Sequence, residues 1–199
     1  MALSHKQQIK KKADKQKKRM SKNKTNVPVK ISQLPIIESW QSDTVDGMTS
    51  ICFARRISSL EYHISMYLLD TWALGVKDSF MQRVSFERYE QMMITSQRYK
   101  KADSGTLKSL ILDTVDFGHD NGFEPYGEYE KMLPYVSRIS TVDSKSHDIS
   151  FGDNGVVKYI PFPDESHVLV KKRLQTLDDK LGQGNYEFIA ISQDFDFDI

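Results

Sequence analysis

Tyr62-His-Ile-Ser-Met-Tyr-Leu-Leu-Asp-Thr-Trp-Ala-Leu-Gly-Val-Lys-Asp-Ser-Phe80 is the most hydrophobic and most patterned stretch of the chain. Its first half reads as a core β-strand, because residues two apart in a strand share a face. Tyr62, Ile64, Met66 and Leu68 fall on one side, and His63, Ser65, Tyr67 and Leu69 on the other. The first side is the better core candidate. The second half reads as a loop holding Trp72, Gly75, Lys77 and Asp78, so a buried strand ends in a group of polar side chains.

Upstream, Ser50 to Ile57 is rich in β-branched and aromatic residues, and the link Ser58-Ser59-Leu60 is short. The pair of runs predicts an antiparallel hairpin. Leu34 to Trp40 begins the folded body, with Pro35 favouring an extended start. Downstream the period changes. Ser85 can cap a helix carrying Phe86, Tyr89 and Met93, and Ser104 a second carrying Leu107, Leu110, Ile111 and Val115, ending at Gly118 or Gly122. Tyr126 to Val136 predicts a short helix interrupted by Pro134, and residues 137–148 a polar loop. Asp153-Asn154-Gly155, flanked by β-formers, predicts a second hairpin over Ile149 to Ile160. Asp164 or Ser166 opens a last helix with Val168, Leu174, Leu177 and Leu181, closed by Gly182-Gln-Gly184, and Tyr186 to Ser192 is a final β-run. Beyond it Asp194, Asp196 and Asp198 alternate with Phe195 and Phe197. The expected fold is α+β: antiparallel hairpins packed against three or four helices, in a single domain over residues 31–199.

Composition sets the outer bounds. The 199 residues are 39% hydrophobic and 28% charged, which suits a globular domain with a full-sized core and excludes global disorder. A lone cysteine, Cys52, forms no internal disulfide and points to a reducing compartment, the cytoplasm being the simplest. The chain shows no signal-peptide apolar core and no run long enough to span a membrane.

The net charge of +1 hides a division. Residues 1–30 hold 11 Lys or Arg against the single acid Asp14, a local +10, which leaves the remainder at −9. Lys10, Lys11, Lys12, Lys15, Lys17, Lys18, Arg19, Lys22 and Lys24 stand among almost no apolar residues, so this arm is expected to be disordered. Closely spaced lysines displace counterions from a phosphate backbone and confer salt-sensitive, sequence-independent affinity for RNA or DNA. The plainer reading is a solubilising tail. Aromatic residues do not interleave the lysines, so base stacking is not expected.

The candidate catalytic residues are acidic: Asp70 at the strand end, Asp78 in the loop, and Asp116 with His119 three residues on. Asp113, Asp120 and Glu124 lie close by in sequence. Carboxylates converging from a strand end and a helix would hold Mg²⁺ in a nuclease. The competing reading is ordinary helix charges and caps, and no ligand signature of fixed spacing supports a metal or other cofactor. Cys52, inside a strand, reads as a buried inert thiol. His63, His147 and His167 have no partner at metal-ligand spacing. Neither a phosphate-binding glycine motif nor a nucleophile elbow is present. Arg55, Arg56 and Lys77 make either a phosphate-contacting patch near Asp70 or internal ion pairs.

The lysine-rich start, Ile37-Glu-Ser-Trp40, Phe53-Ala-Arg-Arg56, Leu69-Asp-Thr-Trp-Ala-Leu-Gly-Val-Lys-Asp78, Gly122-Phe-Glu-Pro125, Phe151-Gly152 and Gly182-Gln-Gly-Asn-Tyr186 together resemble an uncharacterised bacterial protein family. The resemblance covers most of the chain. It implies a bacterial cytoplasmic protein and transfers no activity. The leading expectation is a non-enzymatic RNA-associated or ribosome-associated accessory protein. The alternatives are a metal-dependent nuclease or other phosphate-processing enzyme of a stress or defence system, and a protein-interaction module with a solubilising tail.

Overall fold

A computed structural model describes residues 30–95, 97–141 and 147–190. The nine arm cations nominated above, the arm's expected disorder, and the aspartates after Ser192 lie outside the described residues.

A single 3₁₀ turn, Ile31–Gln33, leads into strand β1, Ile36–Ser42. Strands β2, Met48–Arg56, and β3, Glu61–Asp70, follow as the expected hairpin. The Asp70–Asp78 stretch, however, is not an open loop. Only Thr71 to Leu74 turns, and Gly75–Ser85 is an 11-residue strand, β4, antiparallel to β3. Its exposed charged and polar side chains hide it from a search for apolar runs, because it is an edge strand. Tyr126 and Glu128 donate their N–H groups to the carbonyls of Val76 and Ser79, covering part of that edge.

Helix α1, Phe86–Glu90, is capped by Ser85 Oγ as expected and continues into a π-type turn, Gln91–Thr95. Strand β5, Tyr99–Lys101, completes a five-stranded antiparallel sheet in the order β4-β3-β2-β1-β5. Helix α2, Ser104–Asp120, is capped by Asp103 rather than Ser104, since the Asp103 carboxylate reaches Thr106 N at 2.7 Å. Helix α3, Tyr129–Val136, contains Pro134.

Both faces of the sheet are buried. Ile51, Phe53, Tyr67, Leu69 and Val76 pack under α2 and α3, meeting Leu107, Leu110, Ile111, Tyr129, Met132 and Val136. Tyr62, Ile64 and Met66 lie on the opposite face with Trp40, Cys52 and Ala54, under Tyr89 and Met93. The side of β3 that alternation ranked second is therefore the one under the larger helical layer. Alternation assigns residues to faces and says nothing about which face receives the helices.

The second hairpin does not form. Asp153 and Val156 bridge a tight turn, but Gly152 N and Lys158 N donate to the carbonyls of Thr71 and Trp72. The segment is thus stapled to the β3–β4 turn. Its end, β6, Lys158–Tyr159, pairs parallel with β7, Glu187–Phe188. Between them runs α4, His167–Leu181, capped by Ser166. Val170 and Leu177 bury one side of α4 against Ala73, Leu74 and Tyr159, whereas Val168 is 80% exposed. Among the described residues, no helix is long and apolar enough to cross a membrane.

Candidate functional site

The acidic residues singled out in the sequence do not gather. Asp70 is buried and caps its own turn: Oδ1 accepts the N–H groups of Trp72 at 3.0 Å and Ala73 at 2.9 Å. Burial raises its pKa, against the opposing pull of these bonds and of Lys77. Asp78 is exposed and accepts the N–H of Ser79. Asp116 is exposed on α2, and His119 meets Glu124 at 3.0 Å on the surface. His147 meets Asp113 at 2.9 Å. Among the described residues, no three His, Cys, Asp or Glu side chains come together where a metal ion would sit. Nor does the Arg55, Arg56, Lys77 patch form. β2 pairs Met48 with Asp70 and Arg55 with His63, so Arg55 and Asp70 lie at opposite ends of the strand pair. Arg56 points to solvent.

Lys77 is instead the centre of a buried ionic group. Leu69 pairs with Val76 and Leu68 with Asp78, which leaves Lys77 as the extra residue of a β-bulge. The bulge turns Lys77 inward, toward the segment before α4. Its Nζ lies 2.9 Å from Glu165 Oε1 and 3.5 Å from the centre of the Phe162 ring. Glu165 Oε2 also accepts from Tyr159 OH at 2.5 Å and from Arg173 Nη1. Burial alone would raise the Glu165 carboxyl, but the bonds from Tyr159, Lys77 and Arg173 outweigh it and hold it at about 2. The group floors a cleft of about 800 Å³ whose walls include Val76, Phe123 and Tyr126, with Asp78, Glu124, Asp164 and Lys172 also lining it. With both carboxylate oxygens occupied by internal partners, the arrangement clamps the start of α4 to the sheet.

A second cleft, of about 540 Å³, lies where the basic arm joins the body. Ser32 to Ile36, the first turn of α2 at Asp103 and Ser104, Arg138 and Arg55 line it. Arg55 is 1% exposed, although it is a cation. Its Nε donates to Leu34 O and its Nη2 to Tyr135 O, its guanidinium lies 5.3 Å from the Tyr135 ring centre, and Nη1 has no partner among the described residues. Among the described residues no carboxylate is within ion-pair distance of it. Burial lowers its pKa, while Tyr67 and Tyr135 act the other way.

Arg55 heads a row of buried polar groups on the helical face of β2 and β3. His63 Nδ1, Ser65 Oγ and Tyr67 OH follow along β3, each without a hydrogen-bond partner among the described residues. His63 stacks on Tyr135, and burial, then Arg55 and Arg83, push its pKa down to about 4. It is therefore neutral at physiological pH. Sequence reading missed Arg55 as an interior residue. The signal was present, since Ile51, Phe53 and Arg55 share a face by alternation and the first two are core residues.

No family model matches the chain, and no curated protein or solved structure matches it. The two clefts are accordingly read from their own chemistry.

Proposed function

We propose that the protein is a non-enzymatic, RNA-associated or ribosome-associated accessory protein, held to its partner by the lysine arm. The observation that carries this reading is the division of charge, +10 over residues 1–30 against −9 over the rest. Such an arm neutralises phosphates by counterion release, whereas the acidic body repels nucleic acid except where cations are gathered. The geometry adds support at the junction. The 3₁₀ turn that follows Lys30 continues into the lining of the cleft that holds Arg55, which has no carboxylate partner among the described residues. The nuclease alternative draws no comparable support, because Asp70 caps a turn while Asp78 and Asp116 are exposed on separate elements.

The test is binding of a single-stranded oligoribonucleotide by the full chain at graded salt, beside a full chain in which the nine arm cations are replaced by Gln. The reading expects log affinity to fall with log salt by about 0.7 per phosphate contacted. It expects the neutralised arm to remove most of that slope. Binding that ignores salt, or that survives neutralisation unchanged, would reject it.

A further inference from the structure

We propose that the cleft at the root of the arm is a phosphate-binding site, with Arg55 as its principal cation. The inference stands on the geometry of the body and does not require the arm to contact RNA.

Arg55 is the first reason. A buried guanidinium is normally matched by a carboxylate, since stripping an ion of water costs several kcal/mol and only a close counter-charge offsets it. Here the matched groups are neutral: two backbone carbonyls and an aromatic ring. Nη1 is left over. The fold has already desolvated this cation, Nη1 included, so an anion entering the cleft is attracted to it at low dielectric.

The first turn of α2 is the second reason, and it is independent of the first. Asp103 satisfies Thr106 N, and its backbone carbonyl accepts from Leu107 N. The N–H groups of Ser104 and Gly105 have no acceptor within the helix, as at any helix start, and a 17-residue helix adds its positive dipole end. Among the described residues Asp103 is the one acid lining this cleft, and its carboxylate is engaged by Thr106 N and Thr106 Oγ1. Arg138 adds an exposed second cation.

The donor set selects among anions. The remaining Nη1 of Arg55, a second arginine and helix N-terminal N–H groups arrive from different elements and offer more donors than the two oxygens of a carboxylate use. A tetrahedral phosphate, with three or four acceptor oxygens, fits them. Free phosphate and a phosphomonoester carry this chemistry in full, with four and three terminal oxygens, and an RNA phosphodiester shares the tetrahedral centre with two non-bridging oxygens.

Inorganic phosphate, titrated calorimetrically into the full chain at constant ionic strength, tests the site. Saturable binding is expected, weakened roughly tenfold or more by Arg138→Gln and lost in Arg55→Met. The exposed neighbour substitution Arg56→Gln is expected to leave it unchanged. Absence of saturable binding, or wild-type affinity in Arg138→Gln, overturns the proposal. That second criterion holds even if Arg55→Met fails to fold. Competition in the arm-neutralised full chain then separates the sources. Displacement of phosphate by an oligoribonucleotide assigns the site to the RNA backbone, and displacement only by a nucleoside monophosphate assigns it to a free phosphate ester.

Discussion

Lys77 and Glu165 meet at 2.9 Å with side chains only 5% and 7% exposed, one from a bulge in the edge strand β4 and the other from the segment leading into α4. This contact and the bonds of Glu165 to Tyr159 and Arg173 fasten the C-terminal helix to the sheet. Removing Glu165 leaves Lys77 charged, buried and without its carboxylate, whereas removing Lys77 leaves Glu165 still bound by Arg173 and Tyr159.

Glu165→Gln is expected to destabilise the protein by about 3–5 kcal/mol, and Lys77→Met by less, because Glu165 keeps its bonds to Arg173 and Tyr159. The double variant is expected to lose much less than the sum. Urea unfolding of the four proteins, analysed as a double-mutant cycle, measures this. Additive losses would show that the two side chains are not coupled.

Acid sensitivity follows from two depressed groups. His63 titrates near 6.5 unfolded and about 4 folded, so the unfolded state takes up a proton that the native state refuses. Its contribution is complete above pH 6.5 and declines as pH falls toward 4. Glu165, depressed from 4.5 to about 2, gives a stabilisation that is complete above pH 4.5 and declines toward 2. His63→Phe, which keeps a ring against Tyr135, is expected to abolish the upper decline and leave the lower. Unfolding free energies between pH 3 and 8 check this; an unchanged slope from 6.5 to 4 would remove His63 as its source.

Gly75 and Gly118 bring the start of β4 against α2. A Cβ on Gly75, at φ +75°, would lie 2.8 Å from Gly118 Cα and 2.9 Å from Thr114 O, both backbone atoms that cannot swing aside. Gly75→Ala combines that clash with a left-handed conformation and is expected to cost more than about 2 kcal/mol. Gly184→Ala, at φ +84° with nothing within 4 Å, carries the conformational strain alone and is expected to cost about 1 kcal/mol. Thermal unfolding ranks the two; equal losses would mean the α2 contact yields easily.

Cys52 is fully buried on β2, and burial, reinforced by the charge of Glu38, pushes its thiol far above the usual range. A thiol reagent at pH 8 is expected to leave it untouched in the native protein and to modify it once urea unfolds the chain. Rapid native modification would place Cys52 at an accessible site.

What the sequence determined by itself was local. The period of two over Tyr62 to Leu69, the caps at Ser85 and Ser166 and the apolar face of α2 each depend on residues a few positions apart, and each appears in the structure. So does the α+β class. The separation of charge between residues 1–30 and the rest is likewise a property of the chain as written.

Tertiary structure decided the rest. β4 is a strand because β3 pairs with it, not because its own residues are apolar. Residues 149–160 are no hairpin because the β3–β4 turn claims their N–H groups. The stretch around Asp70 drew attention as a site for its polar residues. Yet Asp70 proved to cap a turn, and Lys77 is defined by a bulge and by Glu165, far along the chain. Among the described residues no carboxylate was brought to Arg55, and spacing along a sequence does not register such a fact. Periodicity records which side of an element faces inward. Which groups meet inside depends on how distant elements dock, and at Lys77 and Arg55 the cost of burying a charge makes that docking chemically consequential.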